Sequence, residues 1–376
     1  MKVILAIDSM KGCLSSHEAC LAAADGIHQV FPQAEALCIP LADGGEGMMR
    51  VLEEALKLHA EETIVHGPLM ESIKAKYYTD NAGTALIEMA ATAGLTLVNK
   101  EKRNPRKTTT YGLGEQMQNA IQRGCRNLII GIGGSCTNDG GTGMLQALGY
   151  RFINKDGKEI PCPMCGEKLN QLKQIERSPL PPDLNIQVAC DVENPLYGPQ
   201  GAACVFAAQK GANEEDISLL DNGLRNWGNL EREYVPHAGD GAAGGLGYAL
   251  REYLGAHLES GVQIIMNLLH FDEQIQGADL IITGEGCSDR QTLMGKVPMG
   301  VLSRGKKYHI PTALIAGEIH DKDELMRAGF ERIHCINEGT DLDHEECMKP
   351  NVAKENIRKT TASFIGEILG GKEKNL

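Results

Sequence analysis

The stretch "LIIGIGGSCTNDGG", residues 128–141, joins an apolar run to a loop of glycines, hydroxyl and thiol side chains and one aspartate. An apolar run that ends in such a loop before a helical pattern is typical of a parallel strand in an α/β sheet. Because glycine loses more conformational freedom on folding than other residues, clustered glycines indicate backbone that must approach another group closely. The stretch therefore predicts an α/β fold, with either a ligand-binding loop or a structural tight turn after the strand.

The same order of strand, polar turn and helix occurs at both ends of the chain. Apolar runs at 3–7 and 36–41 predict two strands, each followed by a helix, the first capped by Ser15 or Ser16 and the second covering 48–58. Three more strands are predicted near the carboxyl terminus, in "ADLIITGEG", "IPTALIAGE" and "RIHCINEG". Five such strands make a flavodoxin-like, doubly wound parallel sheet.

The section between these two groups has a different pattern. Alternation at Ile73, Ala75 and Tyr77 predicts antiparallel strands, and further strands are predicted at 128–132 and 186–189. A chain of 376 residues exceeds what one hydrophobic core usually supports. We therefore expect two domains: a discontinuous flavodoxin-like domain of residues 1–64 and 268–376, and an inserted mixed-sheet α/β domain of residues 65–267.

The composition limits the class of protein. The formal charge of -13 argues against a general nucleic-acid surface or an anionic membrane surface, because either needs a basic face. The apolar run before Asp8 is only five residues long, too short for a signal-peptide core, and no apolar run approaches the roughly 20 residues of a membrane span. The twelve cysteines are scattered, as suits reduced thiols. We expect a cytoplasmic, enzyme-like protein that binds neither nucleic acid nor membrane.

Six glycine-rich or acidic turns share one placement, just past the carboxyl end of a predicted strand. They are "DSMKG" at 8–12, "ADGGEG" at 42–47, "GGSCTNDGG" at 133–141, "CDVENP" at 190–195, "GEGCSD" at 284–289 and "GE" at 317–318. In open α/β sheets this edge is where ligands bind. None of the six is a P-loop or a dinucleotide fingerprint, so the type of ligand must be inferred from the side chains.

The residue types in these turns suit an anion. Glycine amides can converge as a nest, hydroxyl groups add donors, and a helix beginning near Gly143 would direct its positive end at the site. The threonines of 108–110, at another predicted helix start, are a second possible anion site, whereas the basic segment 100–107 is better explained as a solvated loop. The candidate positions for phosphate, nucleotide or substrate binding are Ser9, Gly44, Gly45, Gly133, Gly134, Ser135, Thr137, Asn138, Lys210, Gly284 and Gly286.

Carboxylates beside an anion site repel the anion unless a cation lies between them, so the acidic turns predict Mg²⁺. Asp139 has an alternative role, as a cap for the helix that follows it. The glycine segment 237–250 is explained equally well as a hinge or as close packing of a helix on a sheet. The candidate metal ligands are Asp8, Asp43, Glu46, Asp139, Glu285 and Asp289.

Taken together, the motifs resemble the family 2 glycerate kinases. The resemblance is collinear over nearly the whole chain and rests on "DSMKGCLSS", "ADGGEG", "EMAATAGL", "TTTYGLGE", "GIGGSCTNDGG", "ACDVENPLYGPQGA", "QKGA", "GAAGG" and "GEGCSDRQTLMGKVPMGV". It implies an active site in a cleft between two α/β domains, ATP with Mg²⁺, and transfer of the γ-phosphoryl group to D-glycerate, typically at the 2-hydroxyl. The state of assembly is left open between monomer and homodimer.

Three positions depart from the family pattern. The family usually has arginine where this chain has Cys287, and Arg290 could supply the missing contact. It also has a small residue where this chain has Asp240, and proline where it has Ala208. These departures concern the choice and affinity of the substrate more than the class of reaction.

Phosphoryl transfer needs positioning and charge stabilisation, which explains the glycines, lysines and carboxylates. We expect Asp191 to accept the proton of the substrate hydroxyl, Lys11 and Lys296 to stabilise the transferred group, and Asp8 or Asp43 to hold Mg²⁺. Alternatives are a kinase of another small hydroxy acid, a 3-phosphoglycerate product, and a sensor that binds a phosphorylated metabolite without turnover. An oxidoreductase using NAD is disfavoured because the fingerprint is missing.

Overall fold

The structure, a computed structural model, describes residues 1–43, 48–80 and 82–370. The chain forms two compact units, the first of Met1–Val51 with Val262–Leu376 and the second of Leu52–Gly261. Both combine sheets and helices, which confirms the predicted α/β class. None of the described helices has both the length and the apolar character that a membrane crossing requires.

The strands are numbered in chain order over the described residues. They are β1 (Lys2–Ile7), β2 (Glu35–Cys38), β3 (His59–His66), β4 (Ser72–Thr79), β5 (Thr84–Glu88), β6 (Asn127–Gly131), β7 (Arg151–Asn154), β8 (Leu172–Glu176), β9 (Asn185–Ala189), β10 (His257–Glu259), β11 (Leu280–Ser288), β12 (Thr312–Ile319) and β13 (Arg332–Cys335).

The α-helices are numbered in the same way. They are α1 (Ser16–Val30), α2 (Met48–Leu56), α3 (Ala90–Ala93), α4 (Tyr111–Gln122), α5 (Thr142–Ala147), α6 (Ala202–Phe206), α7 (Glu214–Gly228), α8 (Ala242–Leu254), α9 (Gly261–Leu268), α10 (Phe271–Gln274), α11 (Val297–Lys307), α12 (Lys322–Ala328), α13 (His344–Cys347) and α14 (Pro350–Gly370). Short 3₁₀ turns cover Leu95–Leu97, Lys100–Lys102, Gly166–Gln171, Ala208–Lys210 and Thr292–Met294.

The first unit contains a five-stranded parallel sheet in the order β2-β1-β11-β12-β13. Renumbered within the unit, this is 2-1-3-4-5, the flavodoxin-like order. Residues Val3–Ile7 of the inner strand β1 are fully buried, as a parallel strand covered on both faces requires. Ser15 caps α1 in a reciprocal capping box with Glu18, so the predicted helix start is correct to one residue.

The second unit contains a mixed six-stranded sheet in the order β10-β9-β6-β5-β4-β3, and a separate hairpin of β7 and β8. Strands β5, β6, β9 and β10 run parallel, while β3 and β4 form the predicted antiparallel pair. The break between the units falls at 51/52 rather than at the predicted 64/65. The reason is that all eight residues of β3 pair with β4, which fixes β3 to the second unit.

Candidate active site

A cavity of about 330 Å³ lies in the first unit at the carboxyl ends of β1, β11 and β12. Parallel pairing places Ile7 beside Gly284, so the residues that follow them, Asp8 and Glu285, reach the same edge of the sheet. Asp43 also lines the cavity. The fold therefore gathers three carboxylates that are far apart in sequence.

Asp8 is the most strongly perturbed of these carboxylates. Burial, reinforced by the negative charges of Asp43 and Glu285, raises the pKa of Asp8 to about 7. The Ser9 amide donates a hydrogen bond of 2.6 Å to its Oδ1 and Lys11 is nearby, and both oppose that rise. Asp8 is therefore a buried carboxyl group whose ionised form is disfavoured by its surroundings.

Glu285 is also buried, and it has a denser set of partners. Its Oε1 accepts hydrogen bonds from the hydroxyl groups of Ser288 (3.0 Å) and Thr292 (2.6 Å), and its Oε2 lies 3.7 Å from Nζ of Lys296. Burial raises the pKa of Glu285 although these donors and Lys296 lower it. The hydroxyl groups fix the carboxylate, while Lys296 brings a positive charge to the cavity wall.

Asp43 connects the cavity to a helix start. Its Oδ1 accepts a hydrogen bond of 3.0 Å from the amide of Val297, the first residue of α11, and Lys296 is the N-cap residue of the same helix. Sequence reasoning proposed Asp43 as a metal ligand without this second role. The contact joins positions 254 residues apart, so no local pattern could reveal it.

The cavity fits a hard divalent cation such as Mg²⁺. Carboxylate oxygens are the protein ligands that Mg²⁺ prefers, and Asp8, Asp43 and Glu285 supply them at one place. Burial is the main reason that the pKa of Asp8 is raised to about 7, and repulsion from the negative charges of Asp43 and Glu285 adds to the rise. A bound dication would relieve that repulsion.

Other predicted positions of the first unit have different placements. Ser9, Lys11 and Gly286 line the cavity, whereas Asp289 lies outside its lining and accepts from the amide of Gln291 (2.7 Å). Gly284 serves packing, because a Cβ there would lie 2.4 Å from the carbonyl oxygen of Ile315 on β12. The predicted residues Gly44, Gly45 and Glu46 lie outside the described residues.

Arg290 does not take over the role expected of an arginine at position 287. Its guanidinium donates to both carboxylate oxygens of Glu324, at 2.9 and 2.6 Å, and lies 3.7 Å from Asp321. Cys287 itself is exposed and lines the cavity.

Sequence reasoning missed one wall of the cavity. Residues from β13 onward contribute to it: Ile336, Asn337, His344, Cys347, Met348 and Ala353. The turn after β13 carries the polar residue Asn337, and its position at a strand end was the only available signal.

The loop after β6 in the second unit divides into two halves. Gly133 and Gly134 are exposed, and Gly134 has a left-handed backbone with φ +72°, which glycine adopts readily. Gly140 and Gly141 are buried, and a Cβ on them would lie 2.7 Å from Trp227 and 2.5 Å from Ala249, respectively. Only the first pair of glycines is available to a ligand, while the second pair permits close packing.

A buried lysine lies under the first half of this loop. Nζ of Lys210 donates to the carbonyl oxygen of Thr137 (2.7 Å) and to the Ser135 hydroxyl (3.4 Å), which lies 2.9 Å from the Thr137 hydroxyl. Burial lowers the pKa of Lys210 to about 8. The predicted anion-binding residues Ser135, Thr137 and Lys210 are thus in mutual contact.

Asn138 is fully buried, and neither its side-chain nitrogen nor its oxygen has a hydrogen-bond partner among the described residues. Such groups are uncommon in folded proteins and call for a partner. Asn138 therefore stays a candidate for ligand binding.

Asp139 acts as a cap. It is fully buried and accepts four hydrogen bonds, from the Thr110 amide and hydroxyl (both 2.8 Å) and from the amides of Gly141 and Gly143 (both 3.2 Å). Burial raises the pKa of Asp139, and these donors oppose the rise. The carboxylate thereby joins the starts of α4 and α5, so the capping alternative replaces the metal-ligand hypothesis for this residue.

The remaining anion-site hypotheses of the second unit are not supported. Thr108 and Thr110 are buried, and their hydroxyl groups donate to the Cys136 carbonyl oxygen and to Asp139. Asp139 also occupies the start of α5 near Gly143, which was expected to face a ligand. In the basic segment, Arg106 pairs with Glu167 (3.2 Å) and Asp216 (3.1 Å).

The glycine segment of 237–250 packs on the loop after β6. Gly244 has φ +72°, and a Cβ there would lie 2.1 Å from the Thr137 carbonyl oxygen. Its own carbonyl oxygen accepts from the Gly140 amide at 3.0 Å. Asp240, in the same segment, is buried and forms a two-point ion pair with Arg251 (2.8 and 3.2 Å). Close packing explains the segment.

Asp191 follows β9, as predicted, and is exposed. Its Oδ1 accepts a hydrogen bond of 3.0 Å from the amide of Gly261, the first residue of α9. The carboxylate is therefore exposed at a strand end, with one oxygen bound by a backbone amide.

The comparisons with known proteins identify the family. The sequence-family model described as "Glycerate kinase family" matches residues 3–369 of this chain. The chain belongs to the glycerate kinase family. The resemblance stated from the motifs is thereby confirmed.

Relatives of this family member match over most of their length. A glycerate kinase of Bacillus cereus is 43% identical over 375 residues, covering 97% of each chain. The glycerate 2-kinase of Escherichia coli is 45% identical over 332 residues, covering 85% of this chain and 86% of its own. A crystal structure of a protein assigned as glycerate kinase 2 from Salmonella typhimurium has a TM-score of 0.85 and 39% identity, with 99% of both chains covered.

Proposed function

We propose that this member of the glycerate kinase family transfers the γ-phosphoryl group of ATP to D-glycerate, giving 2-phosphoglycerate and ADP. One observation of the structure carries the proposal: Asp8, Asp43 and Glu285 meet Lys11 and Lys296 in one cavity at the carboxyl edge of a parallel sheet. Mixed carboxylates and lysines suit a metal-bound phosphate, since the carboxylates hold the cation and the lysines contact the anion. The relatives named above are called glycerate kinase and glycerate 2-kinase.

Mg²⁺ would be held by Asp8, Asp43 and Glu285, and when bound it neutralises charge on the phosphates. Asp8 is fixed by the Ser9 amide and Glu285 by two hydroxyl groups, so these carboxylates are oriented before any ligand arrives. Such preorganisation lowers the cost of binding.

The reaction forms a bond between the 2-hydroxyl oxygen of glycerate and the γ-phosphorus, and breaks the bond from that phosphorus to the oxygen it shares with the β-phosphate. Lys11 and Lys296 stabilise the negative charge, and Asp191 accepts the hydroxyl proton. The exposed amides of Gly133 and Gly134, with Ser135 and Lys210 beside them, are proposed to bind an anionic group of a substrate.

The test is release of ADP on mixing the protein with Mg·ATP and D-glycerate, followed by phosphorus NMR of the product. We expect ADP release that depends on D-glycerate and a product phosphorylated at the 2-hydroxyl. A phosphate at the 3-hydroxyl would correct the position of transfer. Binding of a phosphorylated metabolite without ADP release would support the sensor alternative and refute the kinase.

The role of Asp191 is tested by Asp191→Asn, with Glu193→Gln as the matched control. Both residues are exposed and lie in the same loop, but only Asp191 is placed as the base. We expect kcat to fall by roughly 10²–10⁴-fold for Asp191→Asn, as for loss of a general base. A turnover within a few-fold of that of the control would remove Asp191 from this role.

A kinase of another small hydroxy acid is the second candidate. It is favoured by the pairing of Arg290 with Glu324, which leaves the cavity wall at Cys287 without the guanidinium of Arg290. Comparing kcat/KM for D-glycerate with values for other short hydroxy acids decides between them, because the preferred substrate has the higher value.

A further inference from the structure

Three side chains of metal-binding type converge at the ends of β11 and β12. One ligand atom each from Cys287, Glu318 and His320 lies within 4.8 Å of the other two. The Nε2 atom of His320 is 3.6 Å from Oε2 of Glu318. The proposed phosphoryl transfer uses none of the three.

The backbone holds this cluster in place. Cys287 and Glu318 are register partners on adjacent parallel strands, so their side chains share one face of the sheet. His320 follows directly after β12, and its amide donates a hydrogen bond of 2.8 Å to the carbonyl oxygen of Ser288. Sites built on strands are positioned more exactly than sites on loops.

A fourth residue supports the cluster from outside. Nδ1 of His344 lies 3.1 Å from Oε1 of Glu318, while Oε2 is the oxygen nearer to His320. A carboxylate with one oxygen toward a metal and the other hydrogen-bonded to a neighbouring group is the usual outer-shell arrangement. His344 is therefore placed to orient Glu318.

The residue types select the class of metal. A thiolate, an imidazole and a carboxylate together suit a borderline-soft dication such as Zn²⁺, whereas Mg²⁺ prefers oxygen ligands alone. Three protein ligands leave one position of a tetrahedral site open. Cys287 and Glu318 also line the cavity, so the cluster lies at its wall.

We propose that Cys287, Glu318 and His320 bind a Zn²⁺ ion at the wall of the cavity, separately from the Mg²⁺-binding carboxylates, with His344 orienting Glu318. The site goes beyond the proposed function and does not depend on it.

The test uses Co²⁺ as a spectroscopic probe for the Zn²⁺ site, in a buffer with excess Mg²⁺ and without nucleotide or glycerate. With the full chain under reducing conditions, we expect one equivalent of Co²⁺ to give the near-ultraviolet absorption of a cobalt–thiolate bond, and Zn²⁺ to abolish it. Cys287→Ser should remove the absorption, and His320→Gln should weaken the affinity by at least about tenfold, because each removes one of three ligands.

Control variants separate this site from the others. Cys204→Ser removes another exposed thiol and should leave the absorption unchanged, as should Asp8→Asn in the cavity. His344→Ala should weaken the affinity by roughly 10–100-fold, the effect expected of an outer-shell partner. Circular dichroism checks that every variant is folded.

The proposal is overturned if Co²⁺ gives no thiolate absorption, or if Cys287→Ser retains it. Because no substrate is present in the metal titration, neither result bears on the kinase proposal. Likewise, absence of ADP release in the activity assay would not contradict the Zn²⁺ site.

Discussion

The two units use the same kind of strand-end turn for different purposes. In the first unit, Asp8 follows β1 and Glu285 lies within β11, both line a cavity, and burial raises the pKa of each. In the second unit, the loop after β6 directs most of its polar groups inward, where Asp139 alone accepts four hydrogen bonds. Glycine and aspartate at a strand end therefore indicate a turn with exceptional backbone and polar groups. They do not show whether a ligand or the protein itself binds those groups.

Asp8 and Asp139, one in each unit, show this difference in hydrogen-bond partners most clearly. Both are buried aspartates, and burial raises the pKa of each. Four donors offset part of the cost of losing water for Asp139, so we expect its contribution to be to stability. Asp8 accepts a hydrogen bond from the Ser9 amide and has two carboxylates nearby, so we expect it to contribute to the binding of a cation. The predictions below test that division, from the largest effect to the smallest.

Asp139→Ala is expected to lower the free energy of unfolding by about 4 kcal/mol or more. The substitution leaves three backbone amides and one hydroxyl group without their acceptor in a fully buried place. Each unsatisfied donor costs ~1–3 kcal/mol before relaxation. Urea unfolding followed by circular dichroism measures it.

Asp289→Ala is the control, since Asp289 accepts from the Gln291 amide at the surface and its removal should cost about 1 kcal/mol. An equal loss of unfolding free energy in the two variants would show that the hydrogen bonds of Asp139 to the starts of α4 and α5 do not stabilise the protein.

Asp8→Asn is expected to lower kcat/KM by roughly 10²–10³-fold, the size of effect found when one preorganised electrostatic group is removed. The amide keeps the hydrogen bond from Ser9 but loses the charge that would hold Mg²⁺. Steady-state kinetics at several Mg²⁺ concentrations measure the effect, with partial recovery expected at high Mg²⁺. Unchanged kinetics would place the cation elsewhere.

The stability of the wild type should respond to pH through Asp8. Its pKa in the folded chain is about 7 against an ordinary value of 3.8, so between these values the folded chain retains a proton that the unfolded chain has lost. The free energy of unfolding contributed by this group therefore falls as pH rises from about 4 to 7, by up to ~1.4 kcal/mol per pH unit. The difference between wild type and Asp8→Asn isolates it, and a difference independent of pH would contradict the assignment.

Lys210 should give the opposite slope at higher pH. Its pKa is lowered from 10.5 to about 8, so between pH 8 and 10.5 the unfolded chain binds the extra proton. The contribution of Lys210 to stability therefore rises with pH across that range, by at most ~1.4 kcal/mol per unit. Unfolding curves of wild type and Lys210→Met at pH 8 and 10 measure it. Parallel pH profiles of the two would show that the lysine is not desolvated.

Much of the fold could be predicted because it depends on local patterns. Apolar runs identified the five strands of the first sheet, and the Ser15 and Glu18 pair marked the start of α1. The roles of polar residues in the site were harder to predict, because their partners are distant in sequence. Asp139 caps through Thr110, 29 positions earlier, and Asp43 meets Val297 across 254 positions. A spacing pattern carries no information about such contacts.

The sheet order of the first unit also sets the order of events during synthesis. Strand β1 lies between β2 and β11, and β11 begins only at Leu280, after the whole second unit has been made. At roughly 5–20 residues per second, the ribosome needs on the order of tens of seconds to reach it. During that interval the fully apolar segment Val3–Ile7 has no neighbour on one edge. One edge of β1 therefore stays unpaired until β11 has been made.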